Sequence, residues 1–250
     1  MPIVGFGTWQ IEGQTARRSV SDALELGYRH IDTATVYRNE EEVGRAIAES
    51  SITRGELFIT TKVPGDTPNV RRAMEQSLDD LKLDYVDLWL IHWPPSGSYG
   101  RASLSSLELF EKMLALRAEG LTRAVGVSNY SIAEVDDLIS ATGDSPEVNQ
   151  IPWSPFLHDF ATRRDLDDRS VRLEGYSPFK TSQLHHRVLE ELARSHGVTA
   201  AQVLLRWHVQ QGVVVIPKSV HKERIRENLD IFSFELGLEE MEQLGGLASS

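Results

Sequence analysis

Short apolar runs alternate with amphipathic segments along the whole chain, and this alternation limits the possible folds more than any other feature. Several of the runs are rich in β-branched residues and are bounded by Gly, Pro or Asp, as β-strands are. Runs such as VVVI and YVDLWLI are apolar without strict alternation, which is typical of parallel strands buried on both faces. We predict eight strands, at residues 3–6, 28–32, 57–62, 85–92, 122–127, 147–149, 172–176 and 213–216.

The segments between these runs carry helix signals. Gly27 is expected to end the first helix, Thr67-Pro68 to open another and Thr199 to cap a third. Eight strands with helices between them favour a closed (β/α)8 TIM barrel over an open sheet, and the 250 residues match the usual size of such a barrel. The sequence shows no linker, charge block or low-complexity stretch, so we expect one domain spanning residues 1–250.

The charge balance and the lack of cysteine exclude several classes of protein. The formal net charge is −11, with 37 acidic against 26 basic residues, whereas a nucleic-acid-binding surface is basic. No apolar run is long enough to span a membrane, and no signal peptide precedes the first motif. Because there is no cysteine, disulfides and thiolate metal sites are excluded. We therefore expect a cytoplasmic protein that binds neither nucleic acid nor membranes.

Four polar residues, Asp32, Tyr37, Lys62 and His92, lie at or just past the ends of predicted strands. A tyrosine that must release a proton needs a cation beside it, the lysine needs a carboxylate partner, and a bound carbonyl needs a polar group to orient it. Taken singly, Asp32 could cap a helix, Tyr37 could be a packed aromatic and His92 a hydrogen-bonded core histidine. Burial of Lys62 in an apolar strand is unfavourable without a partner. Because each member supplies what another needs, the set indicates catalysis.

The later strands also end in polar residues. Ser128 and Asn129 follow the fifth predicted strand, Gln150 follows the sixth, Tyr176 ends the seventh and Lys218 follows the eighth. In a barrel these positions share the carboxyl face, where barrel enzymes build their active sites. The sequence therefore predicts a single site at that face.

Longer motifs cover most of the chain. They are GFGTW at 5–9, GYRHIDTATVYRNEEEVGRAI at 27–47, ELFITTKV at 56–63, LDYVDLWLIHWP at 83–94, GLTRAVGVSNY at 120–130, EVNQIPWSPF at 147–156, GYSP at 175–178 and IPKSVHKERIRENL at 216–229. Together they resemble the aldo-keto reductase family, in particular the prokaryotic type that includes diketogulonate reductases and related aldehyde reductases. The resemblance implies the (β/α)8 barrel and carbonyl reduction.

The resemblance also implies a catalytic tetrad of Asp32, Tyr37, Lys62 and His92. Tyr37 would be the general acid that protonates the carbonyl oxygen, and Lys62, paired with Asp32, would lower the pKa of the tyrosine from about 10. His92 would donate a hydrogen bond to the substrate oxygen and orient it. A nicotinamide cofactor would give hydride to the carbonyl carbon while Tyr37 gives the proton.

Cofactor binding in this family needs no glycine-rich dinucleotide loop, and GFGTW lacks the third glycine of GxGxxG. By resemblance, Ser128, Asn129 and Gln150 would bind the nicotinamide carboxamide, and Tyr176 would stack on the ring. The remaining cofactor contacts would come from Ser177, Pro178, Ile216, Lys218, Ser219, Val220, Arg224, Glu227 and Asn228. Cations at Lys218 and Arg224, beside the expected 2′-phosphate, favour NADPH over NADH. The alternative is that these two residues belong to a solvated helix face.

Some positions depart from the family pattern. Arg38 stands where a small residue commonly follows the catalytic tyrosine, and His221 stands where a threonine is common. Pro152-Trp153-Ser154 replaces an acidic-aromatic-histidine triplet. Arg38 either favours anionic substrates or points outward, and His221 could add a pH-dependent contact near the adenosine phosphate.

Both ends of the chain are short relative to the family, so we expect a reduced N-terminal hairpin and no long C-terminal loop. The segment 94–103 is also brief. We therefore expect an open substrate pocket lined by Trp9, Tyr37, His92 and Trp93, with broad tolerance and weak substrate binding.

We predict an NADPH-dependent oxidoreductase that reduces small aldehydes or ketones to alcohols, acting as a monomer and without a metal. One alternative is a nicotinamide-binding regulatory protein of the same type with little catalytic activity. A second is an unrelated barrel enzyme, such as a metal-dependent hydrolase or an isomerase, although no HExxH or GxSxG motif occurs. A third is a reductase that uses NADH.

Overall fold

The computed structural model of the protein describes residues 1–95 and 104–249. Its centre is a sheet of eight parallel strands whose neighbours follow chain order. The strands are β1 (Phe6–Gly7), β2 (His30–Asp32), β3 (Phe58–Val63), β4 (Val86–Ile91), β5 (Thr122–Ser128), β6 (Val148–Pro152), β7 (Arg172–Tyr176) and β8 (Val214–Val215). Every predicted strand overlaps an observed one, and the seventh matches to the residue.

The sheet curls until its two edges approach one another. Val4, just before β1, forms an isolated parallel bridge with Val215 of β8. The Gly5 amide donates to the Val215 carbonyl across 2.9 Å, and the Val215 amide donates to the Ile3 carbonyl across 3.0 Å. These contacts do not amount to a ladder between β1 and β8. The predicted barrel is therefore confirmed as eight parallel strands in a curled sheet, and not as a fully closed barrel.

Ten α-helices in the described part of the chain connect the strands and cover them. They are α1 (Gly13–Leu26), α2 (Glu40–Glu49), α3 (Val70–Leu81), α4 (Ser106–Ala118), α5 (Ile132–Thr142), α6 (Phe160–Asp168), α7 (Arg187–His196), α8 (Ala200–Gln210), α9 (Lys222–Leu229) and α10 (Leu238–Gly245). Gly27 ends α1 in the left-handed conformation and Thr199 caps α8, both as predicted. The predicted opening of α3 at Thr67-Pro68 is wrong, because Asn69 caps that helix.

The two faces of the sheet bury different side chains. On β4, Trp89 belongs to the large core between the sheet and the helices, whereas Leu88 and Leu90 pack with Val148 in a small core on the inner face. Side chains alternate between the two faces along a strand. Lys62 pairs in register with Leu90, so its side chain also lies on the inner face. The strand geometry thus places an ammonium group inside the curled sheet.

No helix within residues 1–95 and 104–249 is both long and apolar enough to cross a membrane. The same residues contain no group of three or more His, Asp or Glu side chains arranged to hold a metal ion. Residues 96–103 of the short segment 94–103 lie outside the described residues.

Candidate active site

Three neighbouring strands and one turn bring the four candidate catalytic residues together. Asp32 is the last residue of β2, Lys62 is the last but one of β3, and His92 directly follows β4. Tyr37 closes a short 3₁₀ turn, Thr35–Tyr37, that follows β2. Since β2, β3 and β4 are adjacent and parallel, their carboxyl ends meet at one edge of the sheet. The structure therefore unites the four residues at that edge.

The ammonium group of Lys62 has three hydrogen-bond acceptors for its three hydrogens. It donates to Asp32 Oδ1 across 2.6 Å, to the Thr33 carbonyl across 2.9 Å and to the Tyr37 hydroxyl across 3.5 Å. Lys62 is fully buried. Burial lowers its pKa, but the charges of Asp32 and Tyr37 outweigh this and raise the pKa above its ordinary value. Lys62 is therefore a permanent cation beside the phenol.

The pKa of Tyr37 is raised above its ordinary value, which differs from the prediction. Burial of the hydroxyl raises this pKa most, and the charge of Lys62 lowers it by less. The predicted effect of Lys62 thus has the right sign, but the expectation of a net pKa below 10 is wrong for this structure. At neutral pH the phenol keeps its proton, as a proton donor must.

His92 faces Tyr37 edge-on, with the ring centroids 5.5 Å apart and the ring planes at 76°. Burial, and secondly the charge of Lys62, lower the pKa of His92 to about 3. The imidazole is therefore neutral at physiological pH, with one N–H donor and one acceptor nitrogen. It can donate a hydrogen bond to an oxygen without competing for the proton of Tyr37.

A second group of predicted residues is hydrogen-bonded to the first. The Gln150 amide donates to Asp32 Oδ2 across 2.8 Å, and the Ser128 hydroxyl donates to the Gln150 carbonyl across 2.9 Å. The Asn129 amide donates to the His92 backbone carbonyl across 3.1 Å and to the Ser128 hydroxyl across 2.9 Å. Both amide hydrogens of Asn129 are thus engaged. A carboxamide that bound here would replace some of these internal hydrogen bonds with its own.

Tyr176 extends this network to β7. Its hydroxyl donates to Asn129 Oδ1 across 2.8 Å, and burial raises the pKa of Tyr176 to about 12. Asn129 itself has a left-handed backbone (φ 65°), and so does Ser177 (φ 51°). The two strained residues directly follow β5 and β7, where the predicted cofactor contacts lie.

The segment from β8 to α9 carries the predicted phosphate contacts. Lys218 and Arg224 are exposed, and neither has an ion-pair partner among the described residues. Lys222 differs from them, because its ammonium lies 2.9 Å from Asp22 and 2.6 Å from Glu25 of α1. Lys218 precedes α9 and Arg224 lies in its first turn, so these two cations could hold a phosphate group.

The other predicted cofactor residues lie on the same segment or after β7. Ser219 and Asn228 are buried, Val220 is half-buried and Glu227 is exposed. The Ser219 hydroxyl accepts from the His221 amide across 3.1 Å, just before α9 begins. A Cβ atom added at Gly7 would lie 2.9 Å from the backbone carbonyl oxygen of Ile216, so Ile216 approaches the β1 backbone closely. The Pro178 carbonyl accepts from the Ser182 hydroxyl across 2.7 Å.

The two predicted pocket tryptophans are exposed, Trp9 to 38% and Trp93 to 40%. Trp9 is covered in part by Lys180, whose ammonium lies 4.7 Å from the ring centroid. A surface cavity of about 610 Å³ lies elsewhere, lined by Phe179 and residues 182–187, and none of the four candidate catalytic residues lines it. The open substrate pocket therefore stays a prediction.

The departures from the family pattern occupy different environments. Arg38 is exposed and has a left-handed backbone (φ 56°) immediately after the turn that carries Tyr37. His221 is exposed next to the start of α9. Trp153 is buried, and its carbonyl is 2.9 Å from Nε2 of the buried His208.

Sequence reasoning missed a buried carboxyl group on β7. Glu174 is fully buried, and its Oε1 lies 3.7 Å from Nε2 of His30, which is also buried. Within the described residues, neither carboxyl oxygen has a hydrogen-bond partner. The signal was available, because RLEGY places a glutamate in a strand-like run just as FITTKV places a lysine.

Comparison with known proteins agrees with this geometry. A sequence model of the aldo/keto reductase family matches residues 3–187 and 147–248. The glyoxal reductase of Bacillus subtilis is 42% identical over 252 residues, which cover 99% of this chain and 89% of the relative. The methylglyoxal reductase DkgA of Yersinia pestis is 41% identical over 245 residues, which cover 96% of this chain and 87% of the relative.

Solved structures agree as well. The aldo-keto reductase of Bombyx mori, in complex with NADP, superposes with a TM-score of 0.92 at 34% identity. The match covers 99% of this chain and 89% of the Bombyx mori chain.

Proposed function

Since the chain belongs to the aldo/keto reductase family of oxidoreductases, we propose that it reduces small aldehydes and ketones to alcohols with NADPH, with Tyr37 as the proton donor. The observation that carries this proposal is the position of the Lys62 ammonium, 2.6 Å from Asp32 and 3.5 Å from the Tyr37 hydroxyl. A buried cation held by a carboxylate stabilises the phenolate that forms when Tyr37 gives up its proton.

Each of the four residues then has one role at the carbonyl oxygen. Tyr37 gives its hydroxyl proton to that oxygen, and the neutral His92 donates a hydrogen bond that orients it. Lys62 meets the charge left on the phenol, and Asp32 fixes the ammonium in place. Negative charge that develops on the oxygen thus encounters donors that need no rearrangement.

The residues present fit a nicotinamide dinucleotide carrying a 2′-phosphate. Lys218 and Arg224 are exposed cations without ion-pair partners in the described part of the chain, and they would hold the phosphate. Ser128, Asn129 and Gln150 would hold the carboxamide, and Tyr176 would stack on the ring. When bound, the reduced nicotinamide supplies the hydride. The name of the Bombyx mori neighbour, an aldo-keto reductase in complex with NADP, supports this cofactor.

For the substrate we propose short aldehydes and ketones, including 1,2-dicarbonyl compounds. Two relatives are named as reductases of glyoxal and of methylglyoxal. The exposed Trp9 and Trp93 would provide apolar walls for such small molecules.

The proposal is tested by following NADPH consumption across a panel of carbonyl compounds that includes glyoxal, methylglyoxal and an aromatic aldehyde. The control is Tyr37→Phe, with NADPH affinity measured by fluorescence titration. We expect turnover by the native chain, and a loss of at least about a hundredfold in Tyr37→Phe with NADPH affinity nearly unchanged. Tight NADPH binding without turnover of any carbonyl would instead favour the regulatory alternative.

We also propose that residues 1–250 form one closed (β/α)8 barrel domain that acts as a monomer. The bridge between Val4 and Val215 supports closure of the sheet. Light scattering on the purified protein measures the mass, and a mass near twice the chain's 28.1 kDa would contradict the monomer.

A further inference from the structure

Glu174 lies on the inner face of the sheet with the candidate catalytic residues. It pairs in register with Gln150 of β6 and Val214 of β8. Paired residues of adjacent parallel strands project to the same face. The Gln150 side chain reaches Asp32 on that face, so the Glu174 carboxyl shares the interior with the Asp32–Lys62 pair.

Among the described residues, the carboxyl group of Glu174 makes no close hydrogen bond, and Gln150 and the charge of Lys62 offset the effect of its burial only in part. Neither of its oxygens makes a hydrogen bond within the described residues. Nε2 of His30 lies 3.7 Å from Oε1 of Glu174 and shares a hydrogen bond of 3.1 Å with the Thr60 hydroxyl. A buried carboxylate without close hydrogen bonds is strongly unfavourable. Burial therefore favours the neutral, protonated form of the Glu174 carboxyl group.

The groups that face Glu174 decide where that proton resides. They are His30 and Asp32 from β2, Lys62 from β3 and Tyr37 from the turn after β2. Both oxygens of Asp32 accept hydrogen bonds, from Lys62 and from Gln150. Burial lowers the pKa of His30 to about 3, which keeps the imidazole neutral. Burial, and then the charge of Asp32, raise the pKa of Glu174 to about 8.

We propose that Glu174, buried on the same inner face as the Asp32–Lys62 pair, is a positioning residue for the carbonyl reduction proposed above: a neutral acid whose ionisation makes Tyr37 a poorer proton donor. While Glu174 is neutral, Asp32 is, among the residues that the structure describes, the only carboxylate that acts on Lys62 from the inner face of the sheet. When Glu174 releases its proton to solvent, a second negative charge acts on the same ammonium. The charge of ionised Glu174 raises the pKa of both Lys62 and Tyr37. A less acidic phenol transfers its proton to the carbonyl oxygen more slowly.

The first test is the pH dependence of single-turnover reduction by wild type and Glu174→Gln. The glutamine matches the shape of the neutral acid but cannot ionise. We expect equal rates below pH 7, and a fall of about threefold near pH 8 that occurs in wild type and is missing in the variant. Glu174→Met, a second uncharged side chain, should behave like Glu174→Gln. A step near pH 8 that persists in both variants would overturn the role of Glu174.

A matched control is Glu147→Gln. Burial also raises the pKa of Glu147, but this residue precedes β6 at the opposite end of the strands and bonds to Arg117 and the Val125 amide. Glu147→Gln should keep the step. Loss of the step in this variant as well would mean that the step does not belong to Glu174.

The second test does not need turnover, so it separates this inference from the proposed function. Ultraviolet difference titration against Tyr37→Phe measures the ionisation of Tyr37 directly. We expect Glu174→Gln to lower the pKa of Tyr37 by about one pH unit, because the variant lacks the second negative charge. If the protein reduced no carbonyl, the proposed function would fail, and this titration would still decide the inference. An unchanged pKa of Tyr37 would overturn it.

Discussion

The ammonium of Lys62 lies 2.6 Å from Oδ1 of Asp32, and both side chains are withdrawn from solvent. The two residues are 30 positions apart in the chain and meet only because β2 and β3 are adjacent. A buried pair of this kind is sensitive to the loss of one member, since the remaining charge loses its ion-pair partner. Comparing the loss of one member with the loss of both therefore separates the pair's contribution to catalysis from its contribution to stability.

Lys62→Met should abolish most reduction and also destabilise the fold. We expect the rate to fall at least about a hundredfold, because Tyr37 loses the cation that stabilises its phenolate. Unfolding free energy, measured in urea, should fall by about 3–5 kcal/mol because Asp32 is left buried without a counter-charge. In the double variant Lys62→Met with Asp32→Asn, stability should recover while the rate does not. A double variant as unstable as the single one would contradict this account.

Acid should destabilise the protein through His92. The pKa of this residue is about 3 in the folded protein, against an ordinary value of 6.5. Between these values the unfolded chain binds a proton that the folded protein does not, so stability falls as the pH drops below 6.5. From pH 7 to pH 5 we expect this group to remove about 1–2 kcal/mol, measured by urea unfolding. His92→Gln should lose less stability over this range, whereas His185→Gln, at an exposed site, should behave as wild type.

Lys218 and Arg224 should select NADPH over NADH. Replacing either by alanine removes a cation that pairs with the 2′-phosphate, and we expect the Kd for NADPH to rise about tenfold while that for NADH stays constant. Fluorescence titration measures both constants. Arg226→Ala is the matched control, since Arg226 is exposed on α9 two residues after Arg224 and faces another side of the helix. Equal weakening of NADPH and NADH binding in Lys218→Ala would argue against a phosphate contact.

Glu174→Gln should stabilise the protein at alkaline pH. The pKa of Glu174 is about 8 in the fold and 4.5 ordinarily, so between these values the folded protein holds a proton that the unfolded chain has released. Wild-type stability therefore falls as the pH rises from 4.5 to 8. At pH 8 the variant should be the more stable by on the order of 4 kcal/mol, and at pH 4.5 the two should be nearly equal. Glu111→Gln, at an exposed site, should show no such trend in urea unfolding.

Gly44→Ala should weaken the packing of α2 against α3. A Cβ at this position would lie 2.5 Å from the Asp80 carbonyl oxygen and 2.6 Å from the Leu81 backbone. Because backbone atoms cannot move aside as side chains do, we expect a loss of about 2–3 kcal/mol in unfolding free energy. Gly55→Ala is the control, since nothing lies within 4 Å of its Cβ, and it should change stability by less than about 0.5 kcal/mol. If the two variants were equally stable, α2 and α3 could move apart without a loss of unfolding free energy, and the prediction would be wrong.

Local patterns predicted most of the secondary structure. Both ends of β7 were predicted correctly, and the helix caps at Gly27 and Thr199 were identified from residue type alone. The first strand was placed too early, because the hydrogen bonds of Ile3 and Gly5 go to Val215 at the far end of the chain. That pairing depends on how far the sheet curls, which no short window of sequence contains.

The catalytic residues of the candidate site were predicted, but part of the network around them was not. The grouping of Asp32, Tyr37, Lys62 and His92 followed from strand-end positions and from the chemistry that each residue requires of the others. The bond from Gln150 to Asp32 joins positions 118 residues apart, and it was not foreseen. Glu174 was overlooked although its strand was predicted correctly and RLEGY carries a glutamate as FITTKV carries a lysine. The register of β7 against β6 and β8 then decided that this side chain faces the interior of the sheet.

The sequence by itself determined the order of strands and helices, the family and the residues able to exchange a proton with a carbonyl. These properties depend on residue type and spacing, which are written along the chain. Only the tertiary structure decided the ionisation of those residues: a raised pKa at Tyr37, a neutral His92 and a protonated Glu174. Ionisation follows from the exclusion of water and from charges within a few ångströms, and both are set by strands that lie far apart in sequence.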